Sequence, residues 1–212
     1  MKSDLDLSTR EKIVQMLKTT GPLTAKEITE PLGITGMAVR RHIIKLEQDL
    51  LIESTTLRKP MGRPVAVYRL TKQAQDLFPT RYGSVALDLL GELELESGSV
   101  VVNGLFDRRK DSLVRRYQGR MQGKDLEAKV AVLTEIQNEN GYMAAFEKVD
   151  DEEYVLTENN CPILQIADKY NHACSCELKL FETLLGADVK RTDCLAEGGG
   201  KCIYRIKAAG IN

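Results

Sequence analysis

The chain has 212 residues, enough for one large or two small domains that each bury a core. Its 42% hydrophobic and 29% charged residues are those of an ordinary soluble protein, and no apolar run approaches the roughly 20 residues that span a bilayer, so no membrane partner is expected. The net charge of −1 is unevenly spread: residues 1–80 carry 13 Lys/Arg against 9 Asp/Glu, and the remainder 17 against 22, which leaves a modestly basic front suited to phosphate contact.

Met1-Lys2-Ser3-Asp4 leads into acids rather than an apolar signal core, so a cytoplasmic placement is expected. Ser8-Thr9-Arg10-Glu11 has the form of a capping box, and Ile13, Met16 and Leu17 behind it give a helical apolar face that stops near Gly21. A second box, Thr24 to Glu27, opens a short helix through Ile28 that ends at Leu32-Gly33. Thr35 can cap a third helix to about Gln48, with Val39, Ile43, Leu46 and Leu50 as one buried stripe. Its open side shows Met37, Arg40, Arg41, Ile44, Lys45 and Gln48, the pattern of a recognition helix in a major groove. Arginine there can donate in a bidentate manner to guanine, and lysine more often meets phosphate. His42, beside the stripe, reads as a packed residue.

Two β-capable runs follow, Leu51 to Leu57 and Val65 to Leu70, around a Gly/Pro loop bearing Arg58, Lys59 and Arg63. Such a hairpin with a basic tip can lie along phosphates or over a minor groove. The DNA-binding set is therefore Thr35, Met37, Arg40, Arg41 and Lys45 on the helix, with Arg58, Lys59 and Arg63 on the wing.

Thr71 can cap a short helix ending at Phe78-Pro79. A helix from Tyr82 carries Tyr82, Ala86, Leu89 and Leu93 as a stripe until Ser97-Gly98, and is expected to contribute to pairing of two chains. The next helix sets Val102, Phe106, Leu113, Tyr117 and Met121 against a side bearing Arg108, Arg109, Lys110, Arg115, Arg116 and Arg120, which reads as a solvated face. A third, from about Asp125, uses Leu126, Val130, Leu133 and Ile136 and stops at Asn140-Gly141.

All five cysteines fall between Cys161 and Cys202, after 160 residues with none, which points to a shared chemical task. A hairpin of Tyr142 to Val149 with Tyr154 to Glu158 delivers the chain to Cys161-Pro162. Proline favours the first helical position, so Cys161 is expected at a helix N-cap, where the dipole lowers a thiol pKa. Cys174 is expected at the start of another helix, with Leu178, Phe181 and Leu185 buried. Strands Val189 to Leu195 and Cys202 to Lys207 around Gly198 would set Cys194 opposite Cys202. Cys161, Cys174 and Cys202, from separate elements, can then converge as an iron–sulfur cluster requires. Cys176 would point roughly 200° away from Cys174 on a helix and reads as a packed residue, and His172 as a surface turn residue. The open alternatives are zinc, although the tight cysteine pairs of zinc knuckles are missing, a thiol/disulfide switch, a small-ligand site, or cysteines that fill a core. With only His42 and His172 available, and no lysine-serine helix after Gly198-Gly199-Gly200, an enzyme is not expected.

Nearly the whole chain resembles the SufR family of iron–sulfur-responsive transcriptional repressors. The resemblance rests on Ala38-Val39-Arg40-Arg41-His42, on Gly62-Arg63-Pro64 through Tyr68-Arg69-Leu70-Thr71, and on Phe78-Pro79-x-x-Tyr82. Its specific part is Glu158-Asn159-x-Cys161, the spacing Cys161-x12-Cys174-x27-Cys202, and the tail Cys202-x-Tyr204-x-Ile206. It implies a homodimer with a [4Fe-4S] or [2Fe-2S] cluster on each subunit that represses cluster-assembly genes. Loaded protein would bind a palindromic double-stranded operator, and cluster loss would weaken that grip. Cys161, Cys174 and Cys202 match the family's three ligand cysteines; Cys194 as a fourth rests on the hairpin geometry alone. The expected architecture is α+β: a winged helix-turn-helix at 1–79, a helical dimerisation linker at 80–140, and a cysteine-rich α+β sensor at 141–212.

Overall fold

The computed structural model describes residues 7–58, 63–150 and 153–208. The N-terminal residues 1–6, the acidic turn positions 151–152, and the wing tip 59–62 with Lys59 lie outside that description. The chain mixes helix and sheet and divides into two compact units, residues 1–80 and 81–212.

In the first unit α1 (Thr9–Thr20), α2 (Ala25–Leu32) and α3 (Gly36–Gln48) precede the hairpin β2 (Ile52–Leu57) and β3 (Val65–Leu70), the order of a winged helix. A short strand β1 (Leu23–Thr24) pairs with β3, giving the antiparallel order β1-β3-β2. Both expected capping boxes form: the hydroxyls of Ser8 and Thr24 accept from the N–H groups of Glu11 and Glu27, whose carboxylates accept from the cap backbone in return. Thr35 accepts from the Ala38 N–H at 3.3 Å and starts α3. Ile13, Val14, Leu17, Ile28, Val39, Ile43, Leu46, Leu51 and Ile52 form the core. Leu50 departs from the expected stripe. It stands in the left-handed region at φ +57°, 64% exposed. Leu51 N–H donates to the Leu46 carbonyl and Leu50 N–H to that of Glu47, a Schellman ending that turns Leu50 outward and delivers Leu51 and Ile52 to the interior.

In the second unit α4 (Tyr82–Ser97), α5 (Ser99–Met121) and α6 (Leu126–Glu139) lead to an antiparallel sheet of order β4-β5-β7-β6, with β4 (Ala144–Lys148), β5 (Glu153–Glu158), β6 (Ala187–Asp193) and β7 (Cys202–Ala208). Between β5 and β6 run α7 (Leu164–Lys169) and α8 (His172–Leu185). Asp125 caps α6 by accepting from the Ala128 N–H at 2.9 Å. Met121, Val130, Leu133 and Ile136 from the helices share one core with Leu156, Leu180, Phe181, Leu184, Tyr204 and Ile206. The helices expected as a linker and the cysteine region expected as a sensor therefore bury their apolar faces on each other. Phe181 and Tyr204 meet edge to face, ring centroids 4.9 Å apart. Arg120 leaves the solvated face to bridge to α6, 2.8 Å from Glu139. Among the described residues, no helix is long and apolar enough to cross a membrane.

Candidate cysteine centre and nucleic-acid interface

Cys161 follows β5 in a turn rather than at a helix N-cap. Its carbonyl accepts from the Leu164 N–H at 3.1 Å, and α7 begins only at Leu164, because Pro162 and Ile163 are spent in the turn. Burial pushes the half-buried Cys161 thiol up to about 11, although the Ile163 N–H donates to its sulfur. The lowered pKa expected from a helix dipole is not found.

Cys174 lies in the first turn of α8, buried, as expected. Cys202 opens β7, directly across from Glu158 on β5, and its sulfur accepts from the Leu195 N–H at 3.4 Å. Cys194 follows the last residue of β6, since that strand ends at Asp193 and residues 195–197 form a short 3-10 turn. The ladder is bulged between Arg191 and Asp193, and beyond the bulge the register Asp193↔Ile203 carries Cys194 towards Cys202. Gly198, at φ +87°, and Gly199 make this return possible. A methyl at Gly199 would meet the Asp193 carboxylate and lie 2.8 Å from the Cys194 carbonyl.

Cys194 is 3% exposed and close enough to Cys161, Cys174 and Cys202 for its charge to bear on each of them. Burial first, and then Cys194, pushes the Cys174 thiol up to about 12; burial does the same to Cys202, also to about 12. Without a metal the Cys161, Cys174 and Cys202 thiols are therefore neutral at neutral pH, and any metal must displace their protons.

Two carboxyls that the sequence reading did not assign stand beside the thiols. Glu158 is 1% exposed and accepts from the Gln137 amide at 2.6 Å; burial, and then Glu177, pushes its pKa up to about 9. Glu177 accepts from the Tyr204 hydroxyl at 3.0 Å, and its burial also raises it above the carboxylate range. Arg109 and Arg191 partly offset the Glu177 charge, and Arg191 donates to the Cys174 carbonyl at 3.0 Å and to Glu197 at 3.2 Å. A cleft lined by Arg109, Tyr142, Pro162, Ile163 and Glu177 opens beside the Cys161 turn.

Cys176 turns away from this group, as its helical position requires, but it is more than filler. Its buried thiol donates to Asp107 on α5 at 3.4 Å. His172 is the first residue of α8, half-buried and facing Asp107, not a surface turn residue.

In the first unit Thr35, Met37, Arg40, Arg41 and Lys45 are all exposed on α3, as are Arg58 and Arg63 on the wing. His42 is half-buried against the core, as expected. The structure thus presents one polar, basic helix face and a flanking hairpin of the kind that reads a duplex.

Residues 9–58 match the family described as HTH domain. No curated protein matches the chain. Among solved structures, the reduced form of the transcriptional regulator YodB from B. subtilis aligns at 24% identity over 42% of this chain and 81% of that one, with a TM-score of 0.30. The adhesin competence repressor AdcR from Streptococcus pyogenes aligns at 20% identity over 57% and 86%, with a TM-score of 0.30. Lactococcus lactis ZitR in complex with DNA aligns at 23% identity over 55% and 79%, with a TM-score of 0.27. With its capped helices, exposed basic helix face and hairpin, the segment that matches the HTH family is a winged helix-turn-helix domain of the DNA-binding kind.

Proposed function

We propose that this protein is a transcriptional regulator that binds a two-fold operator as a homodimer, and that its grip depends on an iron–sulfur cluster held by Cys161, Cys174, Cys194 and Cys202. The observation that carries this reading is the place of Cys194, a shared neighbour of the other three cysteines, each of which comes from a different element. When bound, a cluster supplies a crosslink among thiolates that oxidants or iron shortage dismantle. The protein's own part is to hold the β5–α7 turn, the first turn of α8 and the β6–β7 return in one arrangement, with Arg191 offsetting charge. Repression of cluster-assembly genes is what the SufR resemblance adds.

DNA affinity changes only as far as the loaded arrangement prefers the DNA-competent dimer. The test is anaerobic purification with an absorbance spectrum, iron and sulfide counts, and operator binding before and after chelation. Brown protein is expected, with colour and cluster-dependent binding lost in Cys161→Ser, Cys174→Ser, Cys194→Ser and Cys202→Ser and kept in Cys176→Ser. Colourless, iron-free protein after reconstitution would overturn the proposal. The nearness of Cys194 to Cys174 favours, as a second reading, a disulfide switch between those two; thiol counts that fall by two on mild oxidation of iron-free protein, with operator release, would support it.

A further inference from the structure

A second donor set lies on the opposite side of α8 from Cys174. His172 and Cys176 are four residues apart on that helix and so share a face, and Asp107 reaches them from α5. One ligand atom from each of the three lies within 4.8 Å of the others. The His172 Nε2 stands 3.3 Å from Asp107 Oδ2 and the Cys176 Sγ 3.4 Å from Oδ1, so each of the other two donors meets one oxygen of the same carboxylate. A tetrahedral zinc ion with ordinary bond lengths separates N and O ligands by about 3.4 Å and S and O ligands by about 3.6 Å. The trio is thus within a small side-chain adjustment of the spacing of ligands around one ion.

Hydrogen bonding within the trio does not account for it. Nε2 of His172 is shielded from solvent, yet among the described residues it has no hydrogen-bond partner, its approach to Asp107 falling outside hydrogen-bonding geometry. An unsatisfied buried nitrogen costs free energy unless something else takes its lone pair. The nearest competing cation, Lys110, is engaged with Asp111 at 3.1 Å.

We propose that Asp107, His172 and Cys176 form a site for a single zinc-class divalent ion, separate from the four-cysteine centre. Thiolate, imidazole and carboxylate together suit zinc or its neighbours in the transition series, and three protein ligands leave a fourth position for water. On binding, the Cys176 thiol gives its proton to solvent as the metal–sulfur bond forms, and the metal's lone-pair acceptor role satisfies His172. The ion ties α5 to α8, the helix that also carries Cys174.

Cobalt(II) is the probe. Metal-free, reduced full-length protein is titrated anaerobically while the thiolate-to-cobalt charge-transfer band and the visible ligand-field bands are recorded. The titration is made on protein in which Cys161, Cys174, Cys194 and Cys202 are all replaced by serine, which should give a thiolate band with one ion per chain, and on wild type, in which Cys176→Ser should lower the number of cobalt ions bound by one. Asp107→Asn, His172→Gln and Cys176→Ser, added to the four-serine protein, should each weaken binding by about tenfold or more, with helical circular dichroism unchanged. Asp107 and His172 keep side-chain exposures of 45% and 29%, so their substitution is not a core disruption. The proposal is overturned if the folded four-serine protein shows no cobalt–thiolate band, if the band persists when Asp107→Asn or His172→Gln is added, or if Cys176→Ser leaves the number of cobalt ions per wild-type chain unchanged.

Discussion

Arg41 stands in the middle of α3, exposed and two turns from the cap, where a guanidinium reaches base edges when the helix enters a major groove. Arg41→Ala should weaken operator binding by about 1–3 kcal/mol, measured by titration at fixed salt, and leave absorbance from the cysteine centre unchanged. Glu158 gives a different readout. Its folded pKa of about 9 lies above the ordinary 4.5 because burial, and then Glu177, disfavour the charge. The folded state therefore keeps a proton that the unfolded chain releases. Stability contributed in this way is complete below the ordinary carboxylate range and is lost as pH rises towards 9. Glu158→Gln should flatten the decline in urea stability of metal-free protein between about pH 5 and about pH 9, leaving a residual slope from Glu177. An unchanged slope would remove Glu158 as its source. At this scale the sequence was readable where the signal is local: Ser8, Thr24 and Thr35 all cap as expected. It was misleading at Cys161, because proline after a residue suits a turn as well as a first helical position.

The elements were legible wherever period and punctuation agree. The expected helices are present, the short one after Thr71 as a 3-10 turn at Gln73–Leu77, and so are the three expected hairpins. Their neighbours were not, because an apolar stripe says that a face is covered and not by what. The pairing of Asp107 with His172 and Cys176 depends on how α5 packs on α8, which no local pattern encodes. Helix α4 makes the same point. It buries no residue in its own chain, and Tyr82, Val85 and Leu89 remain 81%, 53% and 66% exposed along one side. An exposed apolar side at this spacing is what the proposed homodimer on a two-fold operator would cover. Leu89→Asp should shift the protein towards monomer by light scattering at micromolar concentration and weaken operator binding in parallel. A variant that stays dimeric would move the interface elsewhere.

For the whole molecule, the division at residue 80 separates a duplex-reading unit from one in which helices and sheet share a core. The class of fold was readable from the alternation of patterns, and the thiol cluster from cysteine placement alone. The carboxyls around it were not, since Glu177 carries no spacing signal and only the fold brings it under Tyr204. The strand order adds a consequence in time. Strand β7, last in the chain, lies between β5 and β6, so a polypeptide still on the ribosome holds β6 without its partner and has no Cys202 to offer. The DNA-reading unit, by contrast, is complete once residue 80 has emerged, and domains generally fold in order of synthesis. If the proposed function holds, every newly made molecule passes through a stage in which its helix-turn-helix unit is folded while its cysteine centre is still incomplete, and a truncated translation product would remain there.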